Sequence, residues 1–163
     1  MSGPRPAENS DDIAMRPFTE SLPMALLQAR EAAMRVFRPL LAEHGLTEQQ
    51  WRVLRALAAA NGALEAGTLA EHTFLLSPSL SRILTNLERR ELISRATPDH
   101  DRRRCQISLT SAGLELMARF SPKGEAVYTE IEQQFGEARL RRLLDELHGL
   151  ATLDFTDTSE EAV

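Results

Sequence analysis

The chain has 163 residues, 42% of them apolar, a net charge of −5 and one cysteine. That length supports one globular domain with a core of its own. The single Cys105 excludes an internal disulfide framework, and four scattered histidines without H-E-x-x-H or Cys/His spacing leave no metal centre.

Residues 1–19 are rich in proline, glycine and acids and read as a mobile tail. Their opening M-S-G-P-R-P-A-E-N-S-D-D carries no apolar run, so neither a signal peptide nor a membrane anchor is expected, and the chain is expected in the cytoplasm with no membrane partner. A first helix is expected over 20–45, starting at Ser21 and stopping at Gly45, with Leu22, Leu26, Ala29, Ala33, Phe37 and Leu40 recurring at helical spacing. Pro39 lies inside it and cannot bond the Arg35 carbonyl, which predicts a kink or a freed carbonyl.

Residues 46–110 carry the most structured pattern. Thr47-Glu48-Gln49-Gln50 is a capping box that opens a helix through Ala60, with Trp51, Leu54, Leu57 and Ala58 as its buried stripe and Asn61-Gly62 as its end. A short helix follows over Thr68–Phe74, then a turn at Leu75-Leu76. Next comes a helix with Ser77 as N-cap and Pro78 at its first position. Leu80, Ile83, Leu84 and Leu87 give it one buried side. Arg82, Thr85 and Arg89 point opposite, with Ser81 and Asn86 on the flanks.

Leu92–Ala96 and Cys105–Leu109 alternate like paired strands around T-P-D-H-D-R-R-R, a hairpin tip whose three consecutive arginines suit a phosphate backbone or minor groove. Two short helices joined by a tight turn, with this hairpin behind them, make a winged helix-turn-helix. The fold class is therefore mostly α with a small β wing, an α+β chain.

Residues 111–153 hold the remaining helices. The first runs to about Gln134, with Leu114, Met117, Ala118, Tyr128, Ile131 and Phe135 near helical spacing. Ser121-Pro122-Lys123-Gly124 interrupts it by a kink or by a break. The last starts near Glu137 and shows an apolar stripe of Leu140, Leu143, Leu144, Leu147, Leu150 and Ala151. Residues 154–163 form a second tail. A winged domain needs far fewer residues than this, and the surplus apolar stripes at both ends of the chain must bury against something. The N- and C-terminal helices are accordingly expected to form a homodimerisation domain, which places two reading helices about 34 Å apart on a pseudo-palindrome.

Charge is segregated in a way that agrees. Residues 77–104 hold seven arginines and four acids, whereas residues 110–163 hold five basic and eleven acidic residues. A polyanion meets the local sign. The leading reading is a sequence-specific regulator of double-stranded DNA. Ser77, Ser79, Ser81, Arg82, Thr85 and Asn86 belong to its reading surface, with Ser79, Ser81, Arg82 and Asn86 set near base edges, while Arg89, Arg102, Arg103 and Arg104 hold phosphate or minor groove. The alternative is a winged-helix protein-interaction module without sequence-specific readout, its arginines merely solvating. No Ser/His/Asp or Cys/His constellation and no glycine-rich phosphate loop supports an enzyme, and no cofactor is expected. Cys105 reads either as a packed strand residue or as a redox-active thiol, since arginines precede it.

The winged pattern ending in D-R-R-R-C-Q-I-S-L-T resembles the MarR family of bacterial transcriptional regulators over about residues 20–153. Asp101-x-Arg103 followed by Leu109-Thr110 is its most specific piece; the resemblance implies that Asp101 braces the wing arginines and that Arg103 meets DNA. The stretches S-L-P-M-A-L-L-Q-A-R-E-A-A-M-R-V-F-R-P-L, G-L-T-E-Q-Q-W-R-V-L-R-A-L, S-P-S-L-S-R-I-L and I-E-Q-Q-F are similar to the branch of that family that represses homoprotocatechuate degradation.

The similarity implies a repressor relieved by a small aromatic or phenolic acid or its CoA thioester. For such an effector the expected residues are Arg30 and Arg38 as carboxylate partners, with Phe37, Trp51, His72 and Leu76 as walls. The chain departs from its relatives at Ser121–Gly124. It also lacks the N-terminal cysteine of the peroxide-sensing members, so redox sensing by that route is not expected.

Overall fold

A computed structural model describes residues 16–96 and 105–154. The elements run α1 (Leu22–Glu43), α2 (Glu48–Ala60), β1 (Leu64–Glu65), α3 (Ala66–Thr73), α4 (Ser77–Arg89), β2 (Ile93–Ala96), β3 (Gln106–Leu109), α5 (Ser111–Phe135) and α6 (Glu137–Ala151). The chain divides after Val36 into two compact units.

The first unit holds a 3-10 turn at Phe18–Glu20, which the sequence did not signal, and the N-terminal turns of α1. Leu22, Leu26, Leu27 and Val36 are exposed there. Arg30 pairs with its neighbour Glu31 at 2.7 Å.

The second unit is the winged helix-turn-helix with the C-terminal end of α1 and the C-terminal helices. Its core is built from Leu41, Val53, Leu54, Leu57, Leu69, Leu87, Ile93 and Ile107, all essentially without exposed surface. The expected capping box is present: Gln50 N–H donates to Thr47 Oγ1 at 3.2 Å and Thr47 N–H to Gln50 Oε1 at 3.0 Å. Pro39 sits within α1 without ending it. The helix closes as expected at Gly45, whose φ of +63° lets Gly45 N–H reach Ala42 O and Leu46 N–H reach Leu41 O, each at 2.9 Å. Helices α3 and α4 end with the same pattern of bonds, but the left-handed residues are Phe74 (φ 51°) and Glu91 (φ 58°) rather than glycine.

Two expectations change. The sheet has three strands in the order β1-β3-β2, all antiparallel, where two were expected. Strand β1 is two residues long, too short for an alternation to show, and pairs Leu64 with Ile107. The wing pair itself is as read, with Ile93 opposite Leu109 and Ala96 opposite Gln106.

Ser77 is not the cap of α4. Leu76 has the extended cap geometry and its carbonyl accepts from Leu80 N–H at 2.9 Å, so Ser77 is already helical and no side chain caps the first turn.

Pro122 does not break α5, which is continuous from Ser111 to Phe135. One missing N–H is tolerated within 25 residues of helix. Gly124 belongs to the same local solution: a Cβ there would lie 2.7 Å from Phe120 Cε1, so the absent side chain makes room for that ring.

Helix α6 carries the expected apolar stripe, yet none of its residues is buried within the chain; Leu143 is 40% and Leu144 46% exposed.

Candidate nucleic-acid interface

Helix α4 has the two faces expected of it. Leu80, Ile83, Leu84 and Leu87 are buried, while Ser77, Ser81, Arg82, Thr85 and Arg89 are exposed and Ser79 and Asn86 are half-buried. Arg82 and Arg89 make no hydrogen bond or ion pair among the described residues, which leaves both guanidinium groups for an outside partner. Asp101, Arg102, Arg103 and Arg104 lie outside the described residues.

Two of the expected reading residues are already bonded within the protein. The Thr85 hydroxyl donates to Ser81 O at 2.9 Å and accepts from Arg95 Nη2 at 3.2 Å. Asn86 Oδ1 accepts from Gln50 Nε2 at 2.9 Å. The Thr85 hydroxyl therefore has no hydrogen left to donate, and Asn86 keeps its amide N–H donors.

Arg95, which was not singled out in the sequence, emerges as the link between wing and helix. Besides Thr85 it faces Glu88, with Nε 3.2 Å from Oε2. Its position on β2 opposite Ile107 places it beside α4, a relation that a strand pattern alone does not reveal. Across the same strand pair the Ser94 and Ser108 hydroxyls lie 3.0 Å apart. Cys105 is a half-buried free thiol that lines a cleft of about 200 Å³ with Leu80, Ser81, Leu84, Arg95 and Ile107.

The residues expected to meet an effector are distributed unevenly. Phe37 is buried with its ring 5.1 Å from Tyr128, and the Trp51 ring lies 4.0 Å from that of Phe120 at a tilt of 38°, with Phe120 also 5.7 Å from His44. His44 Nε2 is buried and has no hydrogen-bond partner among the described residues. His72 and Leu76, expected as walls, are exposed at the end of α3 and the start of α4, Leu76 by 79%. Neither has a ring contact with these aromatics.

Arg38, expected as a carboxylate partner, already holds one: its Nε pairs with Glu48 Oε1. Arg55, by contrast, stands one turn beyond Trp51 on the same face of α2. It is exposed and without an ion pair among the described residues. The i, i+4 relation to Trp51 is a signal that the sequence itself carries.

A family model described as MarR family matches residues 44–104. The homoprotocatechuate degradative operon repressor of Escherichia coli is 45% identical over 124 residues, 76% of this chain and 83% of that protein. Among solved structures, NadR in complex with 4-hydroxyphenylacetate is 38% identical with a TM-score of 0.74, covering 86% of this chain and 99% of that one. The transcriptional repressor CouR bound to a 23-mer DNA duplex is 28% identical with a TM-score of 0.74, covering 82% and 94%.

Proposed function

The chain belongs to the MarR family of transcriptional regulators, and from that membership we propose a homodimeric repressor that releases its operator when a small aromatic acid or its thioester binds. It is a DNA-binding regulator and not an enzyme. The observation that carries the reading is the outer face of α4, where Arg82 and Arg89 have no partner among the described residues and stand beside the Ser77 and Ser81 hydroxyls. Arginine forks and short hydroxyls are the groups that read base edges and grip phosphate.

Arg82, Ser79, Ser81 and the Asn86 amide act at the bases. Arg89 holds phosphate, joined by Arg102, Arg103 and Arg104 at the wing, with Asp101 orienting them. The exposed stripes of α1 and α6 supply the apolar surface that a second copy covers. No helix among the described residues is long and apolar enough to cross a membrane, and the regulator works in the cytoplasm.

The effector side is the aromatic ground around Trp51 and Phe120, with Phe37 beside Tyr128. An aromatic carboxylate there needs a guanidinium. Arg30 and Arg38 would each have to exchange a carboxylate already held, whereas Arg55 needs no exchange. His44 Nε2 is the polar atom left for a phenolic hydroxyl. His72 and Leu76 become walls only when a second surface covers them. The choice of aromatic acid rests on NadR, which was solved with 4-hydroxyphenylacetate, and on the homoprotocatechuate repressor. A ligand favouring a conformation that does not fit DNA lowers operator affinity by its differential affinity for the two states.

The test is a binding selection from a randomised duplex library, followed by titration of the selected complex with 4-hydroxyphenylacetate and its CoA thioester. Enrichment of a pseudo-palindrome and its release by either compound is expected. No enrichment would overturn the DNA reading; enrichment without release by any member of an aromatic-acid panel would overturn the effector half alone.

A further inference from the structure

The recognition helix is held by more than its apolar stripe. Gln50 Nε2 donates to Asn86 Oδ1 at 2.9 Å, and one turn on, at the residue that closes α4, Arg90 Nη1 donates to Gly45 O at 2.8 Å and Nη2 to His44 O at 3.4 Å. All three bonds land on the short stretch from His44 to Gln50 that joins α1 to α2. That stretch is itself stiffly built, by the left-handed Gly45 closing α1 and by the Thr47–Gln50 capping box opening α2. Gln50 is buried and serves in both structures at once, its oxygen taking Thr47 N–H and its nitrogen reaching Asn86.

Apolar packing of Leu80, Ile83, Leu84 and Leu87 is non-directional and leaves α4 some freedom to roll about its axis. Directional bonds at Asn86 and Arg90, both on the side facing the junction, remove it. We propose that Gln50 and Arg90 are positioning residues for base readout, fixing the roll of α4 from the α1–α2 junction. The proposal rests on the reading of α4 as the base-reading helix. Bidentate base contacts require close alignment, whereas phosphate contacts depend mainly on charge and tolerate a small rotation. A roll error therefore appears as lost discrimination before it appears as lost affinity for DNA in general.

The experiment measures dissociation constants for two duplexes, the one selected by the wild-type protein from the randomised library and a base-shuffled version of equal length, together with the melting temperature. Gln50→Met and Arg90→Met are each expected to lower the ratio of the two constants by about three- to tenfold, the equivalent of one lost hydrogen bond. Affinity for the shuffled duplex should stay within about twofold. The double variant should lose less than the product of the two, because both bonds fix one rotation. Gln50→Glu keeps an acceptor for Thr47 N–H but has no N–H to donate to Asn86 Oδ1, so it should lower the ratio as Gln50→Met does while the capping bond stays intact.

Arg90→Met removes only partly exposed bonds and decides the matter by itself should Gln50→Met fail to fold. Equal weakening on both duplexes, or an unchanged ratio in the folded variants, overturns the proposal. A wild-type protein without preference for its selected duplex overturns the reading of α4, and the positioning role with it.

Discussion

Arg95 Nη2 donates to Thr85 Oγ1 across 3.2 Å, so the wing strand and the recognition helix share a bond at the surface assigned to DNA. The Thr85 hydroxyl also donates to Ser81 O, which leaves it no further hydrogen to offer a base. Arg82, one turn earlier, makes no such bond among the described residues. Replacing Arg82 with alanine should lose about 1–3 kcal/mol of operator affinity and relax base preference. Thr85→Val should lose less than about 1 kcal/mol, because it sacrifices an internal bond and keeps the methyl contact. Fluorescence anisotropy on matched and single-substituted duplexes separates the two, and equal losses for both variants would return Thr85 to the set of direct readers.

Gly113 marks where α5 is pinned to the base of the wing. A Cβ built there would lie 2.1 Å from Leu92 O, which also accepts Thr110 N–H at 3.2 Å. The Thr110 hydroxyl, donating to Glu91 O at 2.5 Å and accepting Gly113 N–H at 3.1 Å, completes the knot. Backbone cannot move aside as a flexible side chain would, so Gly113→Ala should destabilise the protein by about 1–3 kcal/mol or more. Urea unfolding checks this; a variant within a few tenths of the parent would mean that the helix start shifts freely.

At Phe74 the expected change has the opposite sign. The residue adopts φ 51° while its side chain is 90% exposed. The left-handed conformation disfavours a non-glycine residue by about 1–2 kcal/mol, and the exposed ring offers little burial to offset it. Part of the gain in Phe74→Gly is cancelled by the extra freedom of the unfolded chain, leaving up to about 1 kcal/mol of stabilisation. A rise of about 2–4 °C in melting temperature would register it. A fall would show that the ring packs against a second copy of the chain.

What the sequence announced and what it hid divide along physical lines. The Thr47–Gln50 capping box, the stripe of α4 and the alternation of β2 and β3 are local patterns, set by residues within one or two turns of each other, and all three are present. Hidden were the relations that need the folded chain: Gln50 to Asn86 across 36 positions, Arg90 to Gly45 across 45, and the two-residue β1 that exists only because β3 lies beside it. The partner of Arg38, one of the residues expected to meet an effector, was hidden for the same reason. Nothing in the spacing of α1 shows that Arg38 reaches Glu48 on the next helix.

Glu43 and Lys123 give a pH-dependent contribution of defined sign. Lys123 Nζ donates to Glu43 Oε2 at 2.5 Å, and that bond, followed by the lysine's charge, holds the Glu43 carboxyl below its ordinary value. A carboxylate lowered on folding stabilises the protein above the ordinary carboxylate range, and that contribution disappears as the pH falls through the group's own lower value. Both side chains are more than half exposed, so salt should screen the effect. In Lys123→Met the carboxyl should titrate back toward its usual value, as followed by carbon NMR of the glutamate side chain. An unchanged titration would show that the pair does not persist in solution.

The effector assignment leads to the remaining prediction. The Trp51 ring lies against Phe120, centroids 4.0 Å apart and planes tilted by 38°, and Arg55 follows one turn on along the same face of α2. A guanidinium one turn from an indole suits a flat ring bearing a carboxylate, because the ring stacks while the carboxylate takes paired N–H donors. In Arg55→Met, DNA affinity without ligand should remain near that of the parent, since the residue lies off α4. The concentration of 4-hydroxyphenylacetate needed to release DNA should rise by about tenfold or more, in keeping with the 1.5–3 kcal/mol of a charged hydrogen bond. Arg38→Met removes a guanidinium that Glu48 already occupies and should raise it less. Titrating the preformed complex of each variant measures this directly. A larger effect from Arg38 than from Arg55 would move the carboxylate site to α1 and make exchange with Glu48 part of the release step.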